Sequence, residues 1–320
     1  ECSAFPMIAG ETQNTCYEMA KDFALVWKNK NPLAIEERME ELDLFTAANY
    51  TAKSAFDMAL YDIAAKIANQ PLYQYLGGSK KTIESDLTIG IDTPENMAAT
   101  AIRFKEKGVH IIKVKLGKNA MEDVQRVKQI RAAIGNNIGI RIDANQGWSY
   151  EDAVMALTAM GPYNITFCEQ PMRKWNDELL PTLVELSPIK IMADESVFTH
   201  YDAERLIKHK ACDYINIKFA KSGGILEAIK INEVAQANGI ACMMGGMLES
   251  RVALTAKVHF AMANTNIKFY DLDTCLLGHL VDPVIGGVTY KGMELVLTDA
   301  PGIGADVRDD YLKELAQIII

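Results

Sequence analysis

From about residue 84 the chain alternates short apolar, β-branched runs with longer polar stretches in which apolar residues recur every three or four positions. The runs are LTIGI from Leu87, IIKVKLG from Ile111, GIRIDAN from Gly139, TFCEQP from Thr166, KIMADES from Lys190, YINIKFA from Tyr214, ACMMGGM from Ala241 and KFYDLD from Lys268. Successive starts lie 24 to 28 residues apart, the length of one strand plus a crossover helix. Eight such strands fit a closed parallel barrel. An open doubly wound sheet is the rival, but no G-x-G-x-x-G follows the first run to support it. Helix signals fall between the runs: Asp92 or Thr93 offers a cap, Pro94 sits in the first turn and Gly108 marks the stop, while Ser149 caps a stretch that ends at Gly161. After the eighth run the rhythm breaks. TCLLGHLVDP does not read as a full crossover helix, and GGVTYKGMELVLTDAPG reads as a hairpin outside the barrel.

Ahead of the first run, 3.6-residue apolar spacing predicts packed helices over residues 15–30 and 47–69, which are expected to form a cap together with the C-terminal hairpin. The expected organisation is an N-terminal capping part (1–84), a barrel (85–278) and a C-terminal segment (279–320) that returns to the cap. With 49% hydrophobic and 23% charged residues in 320, the composition excludes a disordered tail, a collagen and a coiled-coil rod. A net charge of -9 argues against nucleic-acid or anionic-membrane partners. No run of about 18 apolar residues is present for a membrane span. The six cysteines (Cys2, Cys16, Cys168, Cys212, Cys242, Cys275) form no C-x-x-C pair and read as reduced thiols in a cytoplasm-like compartment. The chain opens on Glu1 rather than Met, so a preceding targeting segment cannot be judged.

In a barrel, the strand C-termini converge on one face. Three carboxylates fall there on consecutive strands: Asp143, Glu169 and Asp194. A single acid at a strand end is ordinarily a helix cap or an ion-pair partner. Three in successive repeats, on strands about 4.8 Å apart, repel one another unless a cation neutralises them. All-oxygen ligation selects a hard ion, Mg²⁺ first and Mn²⁺ second, one per subunit. Lysines flank the triad, with Lys113 and Lys115 on the second strand and Lys218 on the sixth. Alternation puts Lys113 and Lys115 on one face, toward the barrel interior. Burial and nearby positive charge are expected to lower their pKa, and a base working near neutrality needs a shift of about three units from about 10.4. Two readings follow. The lysines balance the acids in a closed ion network, or they face each other across one carbon, so that one removes a proton and the other returns it. The second is the chemistry of racemisation.

This set resembles the enolase superfamily, specifically its muconate-lactonizing-enzyme subgroup, whose pattern is K-x-K, three acidic ligands on the third to fifth strands and a lysine on the sixth. The resemblance covers residues 1–304. It implies an α/β fold, a modified TIM barrel (β/α)7β, with an α+β cap built from both chain ends. It also implies Lys115 and Lys218 as the acid/base pair, with Lys113 beside the enediolate charge. Asn145 then contacts substrate or supports the site, or simply holds its turn. FYDLDT brings Asp271 and Asp273 to the eighth strand end, a D-x-D similar to that of the dipeptide epimerases, where it meets the substrate ammonium; a salt bridge or turn contact is the plainer role. Thr88 is expected to hydrogen-bond the peptide or carboxylate, and residues 245–250 to line the same cavity. The implied activity is Mg²⁺-dependent epimerisation of an Ala-Glu-like dipeptide from cell-wall recycling, inverted at the C-terminal α-carbon by a homo-oligomeric enzyme. N-acylamino-acid racemase or cycloisomerase activity is the alternative. A Schiff-base aldolase and a non-catalytic binding scaffold are more distant ones. The family's first cap strands and their mobile loop are expected to precede Glu1, and residues 5–10 resemble its second specificity loop.

Overall fold

The computed structural model describes residues 1–277 and 279–320, so Gly278, where the barrel was expected to end, lies outside the described residues. Eight parallel strands form one nearly closed sheet in sequence order: β1 (Leu87–Ile89), β2 (Ile111–Lys115), β3 (Gly139–Asp143), β4 (Ile165–Glu169), β5 (Ile191–Ala193), β6 (Tyr214–Ile217), β7 (Ala241–Gly245) and β8 (Ile267–Asp271). Five helices precede them: α1 (Pro6–Ala9), α2 (Gln13–Trp27), α3 (Ile35–Phe45), α4 (Tyr50–Ile67) and α5 (Leu72–Tyr75). The crossovers are α6 (Pro94–Glu106), α7 (Ala120–Ile134), α8 (Tyr150–Met160), α9 (Leu180–Leu186), α10 (His200–Lys208), the pair α11 (Phe219–Ser222) and α12 (Ile225–Ala237), and α13 (Arg251–Ala263). Among the described residues, β8 is followed by a 3-10 turn at Thr274–Leu276 and by no crossover helix, which leaves seven helical crossovers for eight strands, as expected. The anticipated caps are made: Thr93 accepts the Asn96 N–H and Ser149 the Asp152 N–H.

Strand alternation sorts the barrel into two environments. Ile112, Val114, Ile140, Ile142, Cys168, Ile191, Ile215 and Met244 point outward into the shell between sheet and helices. The inward residues Phe167, Met192, Met243, Tyr214 and Phe269 fill the lower interior as a separate cluster. The polar site residues continue this inward register, two positions further along each strand. Gly117 (φ +101°) lets the loop after β2 pass the loop after β3, where a Cβ would lie 2.0 Å from the Ala144 carbonyl oxygen.

The seam between β8 and β1 is closed largely by side chains. The Asp86 N–H donates to the Tyr270 carbonyl (3.2 Å). The Leu272 N–H donates to Ser85 Oγ (2.8 Å) and the Thr88 N–H to Asp273 Oδ2 (2.7 Å).

The cap differs from expectation in three helices: α1, α3 and α5 lie outside the two stretches that the apolar spacing predicts, α1 on the residues likened to a specificity loop. The α3 sequence, IEERMEELDLF, is so acidic that its apolar stripe narrows to Met39 and Leu42, buried beside α2 and α4, with Ile35 half-buried at its start. The C-terminal segment supplies the β part of the cap, pairing β10 (Thr289–Lys291) with β11 (Glu294–Val296) as the expected hairpin and β9 (Val284–Gly286) with β12 (Ala305–Val307), before the short α14 (Asp309–Lys313). It returns to α4 and α5 through the Leu72 N–H to the Gly302 carbonyl and the Ile303 N–H to Asp62 Oδ1. All six cysteines are free thiols. Among the described residues, no helix is long and apolar enough to cross a membrane.

His259 ties this return to α13. Its Nδ1 accepts the Tyr73 N–H (3.1 Å), which puts the ring proton on Nε2, donated to the Ile303 carbonyl (2.9 Å). Burial pushes its pKa down to about 4. The unfolded chain, with histidine near 6.5, binds the extra proton first. Stability is therefore unaffected above that pH and lost as pH falls from about 6.5 toward 4, by roughly 2 to 3 kcal/mol at pH 4.5. Urea unfolding at pH 7.5 and 4.5 checks this. Wild type should lose more stability on acidification than His259→Gln, and equal losses would count against the assignment.

Candidate active site at the mouth of the barrel

The site is built where inward residues reach the C-terminal rim. Asp143 and Glu169 end β3 and β4, paired in register, and Asp194 follows β5 by one residue. All three are fully buried. Lys115 ends β2 opposite Asp143 and donates to its Oδ2 (2.7 Å). Lys218, one residue past β6, donates to Asp194 Oδ2 (2.7 Å) and lies 3.9 Å from Glu169 Oε1. Lys113, one layer deeper, sits between Glu169 Oε2 (2.7 Å), Asp271 Oδ2 (2.7 Å) and Asp143 Oδ2 (3.1 Å). All three acids and all three lysines of the sequence reading thus come together at one rim.

The expected fall in lysine pKa is corrected by this pairing. Burial disfavours the Lys113 and Lys218 ammonium groups, but the carboxylates outweigh it: Asp271 and Glu169 around Lys113, and Asp194 around Lys218, hold both well above the ordinary lysine range. Conversely, burial opposes ionisation of Asp143 and Asp194, yet Lys115 and Lys113 hold the first below the ordinary carboxylate range and Lys218 and Lys221 hold the second there.

Four residues the sequence reading passed over complete the network. Lys221, one helical turn beyond Lys218, buries its ammonium beside Asp194 and donates to the carbonyls of Asp194, Val197 (3.1 Å) and Asn216 (3.1 Å). Asn216 Nδ2 donates to Glu169 Oε1 (2.7 Å). Asp86 accepts from Arg141 Nη1 (2.7 Å), whose guanidinium lies between the Phe167 and Phe269 rings. Asn216, Asp86 and Arg141 each stand two positions before a named site residue, the spacing that shares a strand face. Asn145, by contrast, meets Asp143 through its backbone N–H (2.8 Å) at φ +44°, the turn-holding role. Thr88 likewise uses its N–H, on Asp273.

Interior charge tests the metal. Seven buried acids (Asp86, Asp143, Glu169, Asp194, Glu195, Asp271, Asp273) face five cations (Lys113, Lys115, Arg141, Lys218, Lys221), so the interior is two positive charges short. The shortfall shows in the acids themselves. Burial and the charge of Asp143 push Glu169 up to about 8, and burial with Asp194 pushes Glu195 up to about 7. Glu169 Oε2 and Asp194 Oδ1 stand beside ammonium groups without hydrogen-bond alignment, leaving buried anionic oxygens available. All-oxygen donors on three adjacent strands and a deficit of two charges fit a hard divalent cation. The group of three carboxylates that all lie within 4.8 Å of one another, among the described residues, is however Asp86, Asp271 and Asp273. Lys113 is shared between the two groups, pairing with Asp143 and Glu169 of the first and Asp271 of the second, while Arg141 pairs with Asp86 of the second.

Two family models cover the chain: mandelate racemase/muconate lactonizing enzyme, N-terminal domain, over residues 6–77, and enolase C-terminal domain-like, over residues 96–311. The D-Ala-D/L-Ala epimerase of Cytophaga hutchinsonii is 42% identical over all of this chain and 87% of its own length. The L-Ala-D/L-Glu epimerase of Clostridium acetobutylicum is 42% identical over 83% of this chain and 75% of its own. The hydrophobic dipeptide epimerase of Enterococcus faecalis is 40% identical over 93% and 84%. The crystal structure of the dipeptide epimerase from Cytophaga hutchinsonii, complexed with Mg and the dipeptide D-Ala-L-Val, superposes with a TM-score of 0.97 over 99% of this chain and 86% of that one, at 42% identity.

Proposed function

We propose, from the premise that this chain belongs to the enolase superfamily through its mandelate racemase/muconate lactonizing enzyme branch, that it inverts the α-carbon of the C-terminal residue of dipeptides. Alanine-first peptides of the Ala-Glu type are the first candidate substrates. The protein is an isomerase of the epimerase and racemase class. The observation that carries the dipeptide reading is the pairing, at one rim, of two lysines that bracket an acid triad with a D-x-D at the end of β8.

The residues that would hold Mg²⁺ are Asp143, Glu169 and Asp194. When bound, the ion acts as a Lewis acid that lowers the cost of the negative charge α-proton removal places on the substrate carboxylate. Lys115 and Lys218 work from opposite sides of the barrel. The lysine present as a neutral amine accepts the α-proton at Nζ, and the other delivers a proton from its ammonium to the opposite face; the reverse reaction exchanges their roles. For Lys218 the accepting role requires the hold of Asp194 on its ammonium to be relaxed, as a cation on that acid would do. Lys113, held between Glu169 and Asp271, stays an ammonium and faces the developing charge. Asp271 and Asp273 receive the peptide's ammonium group. Burial opposes ionisation of Asp271, but Lys113 and Lys115 bring its pKa down to about 2, so it is fully charged for that task.

The test is incubation of L-Ala-L-Glu, L-Ala-L-Ala and L-Leu-L-Tyr with the Mg²⁺-loaded protein in D₂O. Deuterium at the C-terminal residue's α-carbon with appearance of the L,D epimer is expected for at least one. Absence of exchange across the panel, with exchange of an N-succinyl amino acid instead, would move the reading to the racemases.

A further inference from the structure

Asp86 lies one residue before β1 on the face of Thr88 and is fully buried. Its Oδ2 is bound to Arg141 Nη1, which also donates to the Tyr270 carbonyl (2.9 Å), so the carboxylate is fixed from below. Its Oδ1 is buried and has no hydrogen-bond partner. Asp86, Asp271 and Asp273 each bring a carboxylate oxygen within 4.8 Å of the others. Three oxygens each about 2.8 Å from one tetrahedral ammonium nitrogen stand about 4.6 Å apart. Three donors of a primary ammonium thus match three acids. Arg141 pairs with Asp86 and Lys113 with Asp271, and among the described residues Asp273 has no cation within ion-pair distance. Burial and Asp271 raise Asp86 well above the ordinary carboxylate range and bring Asp273 up to about 6.

We propose that Asp86, braced by Arg141 beneath Asp271 and Asp273, is a third carboxylate of the amine subsite and makes the site select a free, protonated amino terminus over an acylated one. This deepens the dipeptide reading and rests on it. Arg141 is the positioning residue: it holds Asp86 without reaching the substrate.

The experiment compares wild type, Asp86→Asn and the charge-neutral double variant Asp86→Asn/Arg141→Gln, all Mg²⁺-loaded, on L-Ala-L-Ala and N-acetyl-L-Ala-L-Ala. Binding is read by calorimetry and turnover by deuterium incorporation. Wild type should favour the free amine, and both variants should lose that preference by roughly tenfold or more, mainly through KM, with Mg²⁺ affinity within twofold of wild type. The double variant guards against a folding defect from an orphaned guanidinium. An unchanged ratio of free-amine to acetylated binding would overturn the proposal, as would equal loss on both peptides. So would a second divalent ion bound by wild type and lost in Asp86→Asn. If wild type turns over neither peptide, the epimerase reading fails. The calorimetric preference for the free amine then still decides the role of Asp86.

Discussion

Replacing Lys218 with alanine should lower dipeptide epimerisation by roughly 10³-fold or more, the scale of a general acid/base. The fold should survive. Lys221 remains beside Asp194, anchored by three backbone carbonyls, so removing Lys218 does not leave that buried carboxylate alone. Lys115→Ala should be equally inactive, but with a different residue of activity. Because each lysine serves one face of the α-carbon, a single-lysine variant can exchange the α-proton only of the epimer presented to the surviving base. Proton NMR in D₂O on separate L,L and L,D peptides reads this directly. Opposite stereochemical selectivity in the two variants is the expected result. Wild-type epimerisation rates in either, or exchange of both epimers by both, would return the lysines to the closed ion network that their pairing also describes.

Glu169→Gln should weaken Mg²⁺ binding by at least about 100-fold and lower turnover by a similar or larger factor. The substitution keeps the side chain's shape and its contact from Asn216, but removes the anion between Lys113 and Lys218. Chelation of wild type should abolish turnover, and added Mg²⁺ or Mn²⁺ should restore it, whereas Glu169→Gln should recover only at far higher metal. Calorimetric Mg²⁺ titration beside the deuterium assay separates the two effects. Retention of tight Mg²⁺ binding in Glu169→Gln together with its loss in Asp271→Asn would transfer the metal to the Asp86, Asp271, Asp273 cluster.

The barrel was legible because its signals are local. Alternation in GIRIDAN or IIKVKLG decides which residues face inward without knowledge of any neighbour, and the caps at Thr93 and Ser149 are satisfied within three residues. The metal-ligand candidates and lysines could be named for the same reason: each ends a strand in a fixed repeat. Energetics set by cross-strand pairing was not legible. The lysine pKa values were expected to fall because burial is visible in a sequence and the carboxylates that overturn it are not. Asp86 and Arg141 carry no meaning until β1 and β3 are placed around a common axis 55 residues apart in sequence. Helix α3 escaped for the opposite reason: its apolar face is Met39 and Leu42 with a half-buried Ile35, too narrow a stripe to stand out among its acids.

The side-chain closure of the seam has a consequence for how such a protein can change. Asp273, assigned here to the substrate amine, also accepts the Thr88 N–H that joins the last strand to the first. A lineage that drifts toward acylated substrates gains nothing from an acid at this position, yet cannot discard it freely, because the same atom completes the cylinder. Asp271 carries no such duty to the backbone; its recorded partner is Lys113. Substrate range should therefore diversify first at Asp271, with Asp273 replaced only after some other contact has taken over the seam. The order of substitutions is constrained by architecture before selection for activity acts.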